Sequence, residues 1–323
     1  MTGAEARPAG VLTLGEGLGV LRTRGIGSLA HEPDLAVGTG GAEGNVAVGL
    51  ARLGTPVTWL GRVGDDGLGT RVVRELLAEG VRVLAPVDTA ATGLLIKESP
   101  AQGRTVVTYH RSGSAGSRLS PDDLRLVDVA AHDLVHVTGI TPALSDSAHR
   151  AIDAVVDLAR VAGVPVSFDV NHRSSLWPDA AAASACYRSI AARADLVFAG
   201  VDEAALVTGL PESDPEALAR ALADLGPAEV VVKLGADGAL AVLEGRLERR
   251  PAVPVDVVDT VGAGDAFVAG YLAARLAGEP VGARLDLAVR TGAAACAHPG
   301  DWEGFPTRRD LEREHDGQDP VRR

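Results

Sequence analysis

The stretch DTVGAGDAFVAGYLAARLAG, residues 259–278, joins a glycine-rich turn to a run with the spacing of a helix. The pattern predicts that a helix begins near Ala263. Gly262, Ala263 and Gly264 would then present backbone amides at the positive end of this helix, where amides bind anions. Asp265 lies at the same end, although its charge should repel an anion. Either Asp265 caps the helix, or the turn combines an anion site with a carboxylate that has a chemical role.

Outward from this stretch, short runs of valine and leucine alternate with alanine-rich helical patterns. Most of the runs are continuously apolar, as in parallel strands that are covered on both faces. Glycine follows several of the helices, at positions where it ends helices well. The predicted strands are 11–16, 57–64, 133–140, 164–171, 195–200 and 229–235, and the predicted helices are 44–53, 68–79, 145–162, 179–193, 214–225 and 263–277. This order predicts an α/β fold with a mainly parallel central sheet flanked by helices.

Two segments, 18–39 and 92–112, break this alternation because neither contains a pattern of helix length. The second is typical of a hairpin with its turn at SPAQG, 99–103. Both are too long for ordinary connections, so we expect them to form a small separate sheet that covers the site as a lid. Residues 1–306 are predicted to form one domain, and 307–323 a charged tail that starts with a short helix.

The composition excludes several classes of protein. A chain of 323 residues with a formal net charge of −12 lacks the basic surface that binds a phosphate backbone, and its 3% of aromatic residues cannot stack bases. Cys186 and Cys296 have no metal-ligand spacing. The start MTGAEARPAG has no hydrophobic signal core, and no apolar run reaches 18 residues. These features predict a soluble, cytoplasmic protein that binds neither nucleic acid nor membrane.

Two signatures carry a family resemblance. DTVGAGDAF (259–267) resembles the C-terminal signature of the ribokinase-like (PfkB) carbohydrate kinases. GGAEGNVAVGLARLG (40–54), followed by GRVGDDGLG (61–69), resembles their N-terminal signature. The resemblance spans roughly residues 10–305. It implies a Rossmann-like central sheet with a small β-sheet lid, and the transfer of phosphate from ATP to a sugar.

The resemblance gives each part of the DTVGAGD turn a role. In such kinases the second aspartate of the signature is the general base, so Asp265 would take the proton of the attacking hydroxyl. Gly262, Ala263 and Gly264 would hold the charge that develops on the phosphoryl group. The two features then act on different atoms.

The segment KLGADG (233–238), which follows the run EVVV (229–232), resembles the ATP loop of the family. Nucleotide contacts are implied for the whole loop, Lys233, Leu234, Gly235, Ala236, Asp237 and Gly238. Lys233 could contact a phosphate, or it could be only the charged end of a strand. ATP and Mg²⁺ are implied by the resemblance, and a requirement for a monovalent cation is left open.

The magnesium site departs from the family pattern. Family members often carry Asn-x-x-Glu to organise hydrated Mg²⁺, and here Gly200 stands at the asparagine position. Glu203, acting through water, is the implied contact, and Asp202 could partly replace the missing asparagine.

The GGAEGN segment is implied to meet the sugar. Gly40 and Gly41 would lie against the substrate and Asn45 would fix its hydroxyls, unless Asn45 only caps the following helix. The glutamate of this segment, together with Glu16 at the end of the first strand, resembles the 2-keto-3-deoxygluconate kinase branch. Glu16 is therefore a candidate substrate contact.

The hairpin supplies candidates for binding a carboxylate. Tyr109 and Arg111 are two residues apart on a predicted strand and share one face. An arginine binds a carboxylate through two hydrogen bonds, and a tyrosine adds a hydroxyl donor, which favours a sugar acid over a neutral sugar. The alternative is a lid strand with a solvated arginine. Leu95 stands where a substrate-facing tyrosine is expected.

Further candidates follow other strands. DVNHRSSLW (169–177) begins at the carboxyl end of a predicted strand, where sites of α/β proteins form. The resemblance places Arg173 near both the acid and the phosphates, and Asn171 with the nucleotide. Asp301, in HPGDWEG, is a further candidate contact to the sugar.

The sequence therefore predicts an ATP-dependent kinase for 2-keto-3-deoxygluconate or a close sugar acid. A kinase for a neutral sugar such as fructose or ribose is the first alternative. A regulator that binds sugar or nucleotide without catalysis is the second. Because a lid sheet with exposed edges tends to be paired, a homodimer formed through the lid is expected.

Overall fold

The structure is a computed structural model that describes residues 10–101 and 104–315. Most of the chain start, the end of the predicted hairpin turn and the end of the predicted tail lie outside the described residues. The strands are β1 (Val11–Leu14), β2 (Leu18–Thr23), β3 (Leu35–Gly40), β4 (Val57–Leu60), β5 (Val63–Gly64), β6 (Arg82–Leu84), β7 (Val87–Asp88), β8 (Gly93–Ala101), β9 (Arg104–His110), β10 (Leu134–Thr138), β11 (Val166–Asp169), β12 (Leu196–Gly200), β13 (Glu229–Lys233), β14 (Ala239–Leu243) and β15 (Arg246–Arg250). The α-helices are α1 (Ala42–Arg52), α2 (Gly67–Ala78), α3 (Asp146–Ala162), α4 (Ala180–Ala191), α5 (Val201–Thr208), α6 (Pro215–Ala223), α7 (Ala263–Leu276), α8 (Val281–Cys296) and α9 (Arg308–His315).

The central sheet has nine strands in the order β15-β14-β13-β12-β11-β10-β1-β4-β6. The strands from β13 to β6 in this order are parallel, whereas β14 and β15 run antiparallel at one edge. The buried, continuously apolar strands of the sequence thus form the middle of the sheet. The predicted mainly parallel sheet is confirmed.

Helices cover both faces of the sheet. One apolar core lies beneath α3, α4, α5 and α6, and includes the fully buried Tyr187. The other lies beneath α1, α2, α7 and α8, and includes the fully buried Tyr271. The right-handed crossovers of a parallel sheet place helices on both sides in this way. Helix α7, which follows the DTVGAGD turn, is buried on all of its faces, since every residue from Asp265 to Ala274 is buried.

The lid is a separate four-stranded sheet in the order β3-β2-β8-β9. Strands β2 and β8 are parallel, and each pairs with its neighbour in an antiparallel hairpin. Leu18, Val20 and Leu95 form a small apolar cluster on its inner side. The predicted small sheet is confirmed, and all of its strands come from the two segments that break the helical pattern.

Some predicted boundaries are wrong. The segment 57–64, predicted as one strand, forms β4 and β5 because the chain turns at Gly61. A Cβ atom at Gly61 would lie 2.3 Å from the carbonyl oxygen of Gly15. The start of the predicted tail packs on the core, since Leu311 of α9 is buried and Arg308 donates to the Leu53 carbonyl over 3.1 Å. Within the described ranges, no helix is both long and apolar enough to cross a membrane.

Candidate active site

A cavity of about 430 Å³ lies between the lid and the carboxyl ends of the central strands. We call it the lid cavity. Strand ends β1, β10, β11, β12 and β13 converge here, as expected for a site in a parallel α/β sheet. Its lining includes Glu16, Asn45, Lys97, Tyr109, Arg111, Asn171, Arg173, Lys233, Asp265 and Asp301. Most of the residues predicted from the sequence to act on the sugar are thus in one place.

Asp265 lies in the first turn of α7 and faces this cavity, although its side chain is largely buried. The Asn45 amide donates to Oδ2 over 2.8 Å, and the Asn171 amide approaches Oδ1 at 3.4 Å. Burial raises the pKa of Asp265 to about 7, while the hydrogen bond from Asn45 opposes the rise. A carboxyl with this pKa is suited to accept and release a proton near neutral pH.

The turn before α7 has the geometry of an anion site. Gly262 has a φ of 77°, in the left-handed region, and a Cβ there would lie 1.8 Å from the Asp301 carbonyl oxygen. The amides of Gly262 and Gly264 have no acceptor in the described part of the chain. The Ala263 amide, in contrast, donates to the Thr260 carbonyl over 3.3 Å. Two of the three predicted amides are therefore free to receive an anion, and Ala263 would have to share its proton.

A second cavity, of about 580 Å³, opens beside the turn. We call it the apolar cavity. Its lining includes Gly235, Ala236, Gly238, Val253, Val255, Phe267, Ala293 and Cys296. Lys233, Thr260 and Gly264 line both cavities, so the cavities meet at the amino end of α7. A small apolar group in one cavity could thus present a charged end to the other.

Lys233 lies at this junction and is paired with Asp169, the last residue of β11, at 2.8 Å. Burial opposes the charge of the Lys233 ammonium, but the Asp169 carboxylate and more distant acidic side chains of the site raise its pKa. The ammonium therefore stays charged where the cavities meet. This placement favours an anion contact over a role as a mere strand end.

Not all of the KLGADG loop faces the apolar cavity. Leu234 and Asp237 line a separate groove on the other side of the loop. Gly238 lines the apolar cavity, but a Cβ there would lie 2.0 Å from the Arg250 carbonyl oxygen. The close approach that requires this glycine is therefore to the neighbouring strand β15.

Asn171 and Arg173 lie apart from the other predicted nucleotide residues. Both line the lid cavity, and neither belongs to the lining of the apolar cavity. Asn171 has a φ of 39°, which turns the chain after β11 so that its amide reaches Asp265. The charge of the exposed Arg173 opposes the rise that burial causes in the pKa of Asp265. Both residues therefore act beside the predicted base.

The two glycines before α1, Gly40 and Gly41, allow the backbone to lie close to Asp301 and Glu16. A Cβ at Gly40 would lie 1.9 Å from Asp301 Oδ2, and a Cβ at Gly41 would lie 2.2 Å from the Glu16 carbonyl oxygen. Asp301 is buried, its Oδ1 has no hydrogen-bond partner in the described part of the chain, and burial raises its pKa to about 6. A carboxyl with a free, buried oxygen is suited to a ligand hydroxyl.

Asn45 is not a helix cap. Helix α1 begins at Ala42 with Gly41 as its N-cap, which places Asn45 inside the first turn. Its amide nitrogen holds Asp265, and its Oδ1 is buried without a partner among the described residues. The capping alternative is wrong, and the free oxygen faces the lid cavity.

Arg111 forms an ion pair inside the protein. Its Nη2 lies 2.6 Å from Glu16 Oε2, and the Ser114 hydroxyl donates to the other oxygen of Glu16. The guanidinium also lies over the Tyr109 ring, 5.2 Å from the ring centre. The alternative of a solvated arginine on a lid strand is wrong, since Arg111 is only 9% exposed. Glu16 is 1% exposed and holds Arg111, so its carboxylate is already occupied.

Two ionisable side chains line the lid cavity without having been assigned to it from the sequence: Glu43, which the sequence marked only as typical of the 2-keto-3-deoxygluconate kinase branch, and Lys97. Glu43 is fully buried, and the hydroxyls of Thr138 and Thr141 both donate to its Oε1 over 2.6 Å. Lys97 of β8 pairs with Asp259, the first residue of the DTVGAGD turn. The sequence could have indicated this position of Lys97. Lys97 lies two residues after Leu95 on β8, so both side chains lie on the inner face of the lid.

The residues predicted to organise Mg²⁺ are partly engaged. Glu203 accepts the amides of Gly200 (2.6 Å) and His172 (2.8 Å), one on each oxygen. Asp202 and Glu203 both line the lid cavity. No group of three or more metal-binding side chains is found within residues 10–101 and 104–315. This donor set suits an ion that a ligand carries in and that water connects to the protein, as is common for Mg²⁺.

The family assignment follows from comparison with known proteins. The profile of the pfkB family carbohydrate kinases matches residues 21–308. This chain belongs to the pfkB family. The 2-dehydro-3-deoxygluconokinase of Bacillus subtilis (strain 168) is 39% identical over 307 residues, 93% of each chain. The fructokinase of Klebsiella pneumoniae is 36% identical over 282 residues, 85% of this chain and 91% of that protein.

A solved structure extends the similarity to three dimensions. A putative ribokinase II from E. coli, in complex with ATP and Mg²⁺, is 25% identical and aligns with a TM-score of 0.86 over 96% of this chain and all of that one. The predicted family, ribokinase-like fold and sugar kinase activity are confirmed. This pfkB member is an enzyme that phosphorylates a carbohydrate.

Proposed function

We propose that this pfkB kinase transfers the γ-phosphoryl group of ATP to 2-keto-3-deoxygluconate and forms its 6-phosphate. The observation that carries the proposal is the meeting of the two cavities at Lys233, Thr260 and Gly264, with Asp265 next to Gly264 in the lining of the lid cavity. The lid cavity would hold the sugar acid, and the apolar cavity the adenine. The similarity to a 2-dehydro-3-deoxygluconokinase over 93% of both chains supports the choice of sugar.

In this mechanism Asp265 takes the proton from the terminal sugar hydroxyl while its oxygen attacks the γ-phosphorus and ADP leaves. Asn45 holds the carboxylate in place and offers its free oxygen to the sugar. The Gly262 and Gly264 amides receive the phosphoryl oxygens. Lys233 adds a positive charge beside the leaving group.

Mg²⁺ would enter with the triphosphate and neutralise part of its charge. Asp202 and Glu203 would hold it through water, because both Glu203 oxygens already accept backbone amides. A monovalent cation remains an open part of the prediction.

The acid group of the sugar would bind at Arg111 and Tyr109, with Arg173 as a further cation in the lining of the same cavity. Arg111 has an Nε without a partner in the described residues, so part of its guanidinium remains available beside Glu16. The competing proposal is a fructokinase, which the Klebsiella relative supports. With a neutral sugar, Glu16 would be the only carboxylate that pairs with Arg111.

A panel of sugars distinguishes these proposals. ADP release is measured with 2-keto-3-deoxygluconate, its galactonate epimer, gluconate, fructose and ribose. We expect turnover with the keto-deoxy acids, and a rise of about 10²-fold or more in their KM for Arg111→Ala because an unpaired carboxylate would remain in a closed site. Turnover of only the neutral sugars would overturn the sugar-acid proposal.

The variant Asp265→Asn tests the base. We expect kcat to fall by about 10²–10⁴-fold, the contribution of a general base, while ATP still binds. A regulator without catalysis would show no turnover either as the wild type or as the variant. A normal kcat for Asp265→Asn would contradict the mechanism.

The lid is proposed as the contact of a homodimer. Among the described residues, each of its edge strands β3 and β9 is paired on one side only, and the lid exposes Ile26 (65%) and Val37 (44%). Exposed strand edges tend to pair with another chain. The cytoplasmic location and the absence of nucleic-acid and membrane partners remain predictions from the sequence.

A further inference from the structure

Lys97 is a charged residue on the inner face of the lid. It is one of two lysines in the chain, and its side chain is only 5% exposed. Strand β8 points Leu95 and Lys97 in the same direction, toward the lid cavity. Burying an ammonium is costly unless it has a partner, so the position calls for a specific carboxylate.

That carboxylate is Asp259, which connects three segments. Its Oδ2 receives Lys97 from the lid and lies 3.4 Å from the Gly300 amide, while Oδ1 receives the Val261 amide over 3.2 Å. Asp259 therefore holds the start of the anion turn against the segment that carries Asp301. Lys97 is the one lid residue among these contacts.

The contacts of Asp259 also affect the Gly262 amide, which lies three residues later in the same turn. Gly262 lies in the turn that begins at Asp259, and its other side is packed so closely against the Asp301 carbonyl that no Cβ would fit. A displacement of about 1 Å in a group that stabilises a transition state can cost about 10²-fold in rate. Without Lys97, Asp259 would be a buried charge whose partner is gone, and its hold on the turn would weaken.

We propose that Lys97 is a positioning residue for phosphoryl transfer. By pairing with Asp259 it fixes the turn that carries the Gly262 and Gly264 amides, and it does so only while the lid lies on the body of the enzyme. The lid thus has a second task besides covering the sugar: it completes the anion site. This inference rests on the proposed phosphoryl transfer at Asp265.

The first experiment is a double-mutant cycle with Lys97→Met, Asp259→Asn and the double variant. For Lys97→Met we expect kcat to fall about 10²-fold, with the KM of the sugar and the dissociation constant of ATP changed less than about 3-fold. Because both residues act through one contact, the double variant should be no slower than Lys97→Met. A rise in the sugar KM at unchanged kcat, or additive losses in the double variant, would show a direct contact with substrate and overturn the proposal.

The second experiment is chemical rescue. Ethylammonium should restore kcat of Lys97→Ala by about 10-fold or more, since it can occupy the space left beside Asp259, but it should not restore Lys97→Met, whose side chain fills that space. Equal rescue of both variants, or of neither, contradicts the role of the charge.

Arg275→Met is the matched control. Arg275 pairs with the buried Glu229 at 3.0 Å on the far end of α7, so its loss should lower stability and leave kcat unchanged. Asp265→Asn is measured in the same assay. If Asp265→Asn keeps its turnover, the proposed function fails; if it loses turnover while Lys97→Met keeps its kcat, only the present inference fails.

Discussion

Asp265 combines burial with the position proposed for the catalytic base, and both have consequences for stability. It is held by Asn45 and Asn171 yet lies in a poorly solvated place, so its charge is unfavourable in the folded enzyme. A base that ionises easily would not need this environment, but it would also bind a proton too weakly to help the sugar hydroxyl.

The stability of the enzyme should therefore depend on pH through Asp265. In the folded protein Asp265 keeps its proton up to about pH 7, whereas in the unfolded chain it releases the proton at about pH 4. Between these values the folded state binds more protons, so the stabilising contribution is present at low pH and is lost as pH rises through about 7. Relative to the wild type, Asp265→Asn should gain up to about 4 kcal/mol in free energy of unfolding between about pH 4 and about pH 8.

Urea denaturation of both proteins across this range, without nucleotide or sugar, measures the difference. A difference that does not change with pH would mean that Asp265 is ionised throughout in the folded enzyme.

Gly262 and Gly278 allow a matched test of the anion turn. They lie just before and just after α7, with φ of 77° and 78°, but a Cβ at Gly278 meets nothing within 4 Å whereas one at Gly262 meets the Asp301 carbonyl at 1.8 Å. Alanine at Gly278 should cost about 1–2 kcal/mol in stability, from the left-handed backbone, and alanine at Gly262 should cost more because its Cβ also overlaps the Asp301 carbonyl. Only Gly262→Ala should lower kcat, by about 10²-fold, because it displaces the amides of the turn.

Steady-state kinetics and urea denaturation on the two variants provide the comparison. Equal kcat values in both would show that the turn tolerates displacement.

The pairing of charges could not be predicted from the sequence. Glu16 and Arg111 are far apart along the chain, as are Lys97 and Asp259, and each pair depends on how the lid lies on the sheet. The sequence could place Arg111 on the correct face of its strand, since this needs only the alternation of side chains. It could not show that a buried carboxylate already occupies part of the guanidinium.

At the scale of elements, the connection between β12 and α5 shows how one side chain serves both fold and site. Glu203 accepts amides from Gly200 and His172 and thereby joins the ends of β12 and β11. The sequence suggested only its metal role, because a glutamate three residues into a helix is a cap that depends on local backbone geometry.

Replacing Glu203 by alanine should therefore lower the stability of the enzyme even without Mg²⁺ or ATP. Two amides would lose their partners, at a cost of about 1–3 kcal/mol each, so we expect a loss of about 2–6 kcal/mol in the free energy of unfolding. Glu216→Ala, in an exposed pair with Arg220 on α6, should change it by less than about 0.5 kcal/mol. An unchanged stability of Glu203→Ala would restrict Glu203 to a role with the metal.

Elements with a strong pattern can be predicted, and those without one cannot. The apolar runs of β1, β10, β11, β12 and β13 are recognisable because both faces of each strand are covered. Strand β15 (RLERR) is polar and lies at the exposed edge, so it has no such pattern. Helix α8 packs against α7 through small residues, which give a weak helical signal.

For the whole molecule, the lid covers the cavity and is the proposed contact of a homodimer. The variant Val37→Glu places a charge on the exposed edge of the lid, where Val37 is 44% exposed. If the homodimer forms through the lid, this variant should be a monomer by light scattering coupled to size-exclusion chromatography. Leu158→Glu, at a position 46% exposed on α3, is the control and should remain a dimer. A wild-type monomer, or a dimer that only Leu158→Glu disrupts, would contradict assembly through the lid.

The segment after α8 closes the active site from the late part of the chain. Gly300 donates to Asp259, the Asp301 carbonyl lies against Gly262, and the Arg52 guanidinium on α1 donates to the carbonyls of Trp302 and Phe305. During synthesis, the central sheet can therefore be complete before the site exists. A polypeptide whose translation stops after α8 would lack both a sugar contact and the support of the anion turn. Such a fragment should therefore consume no ATP.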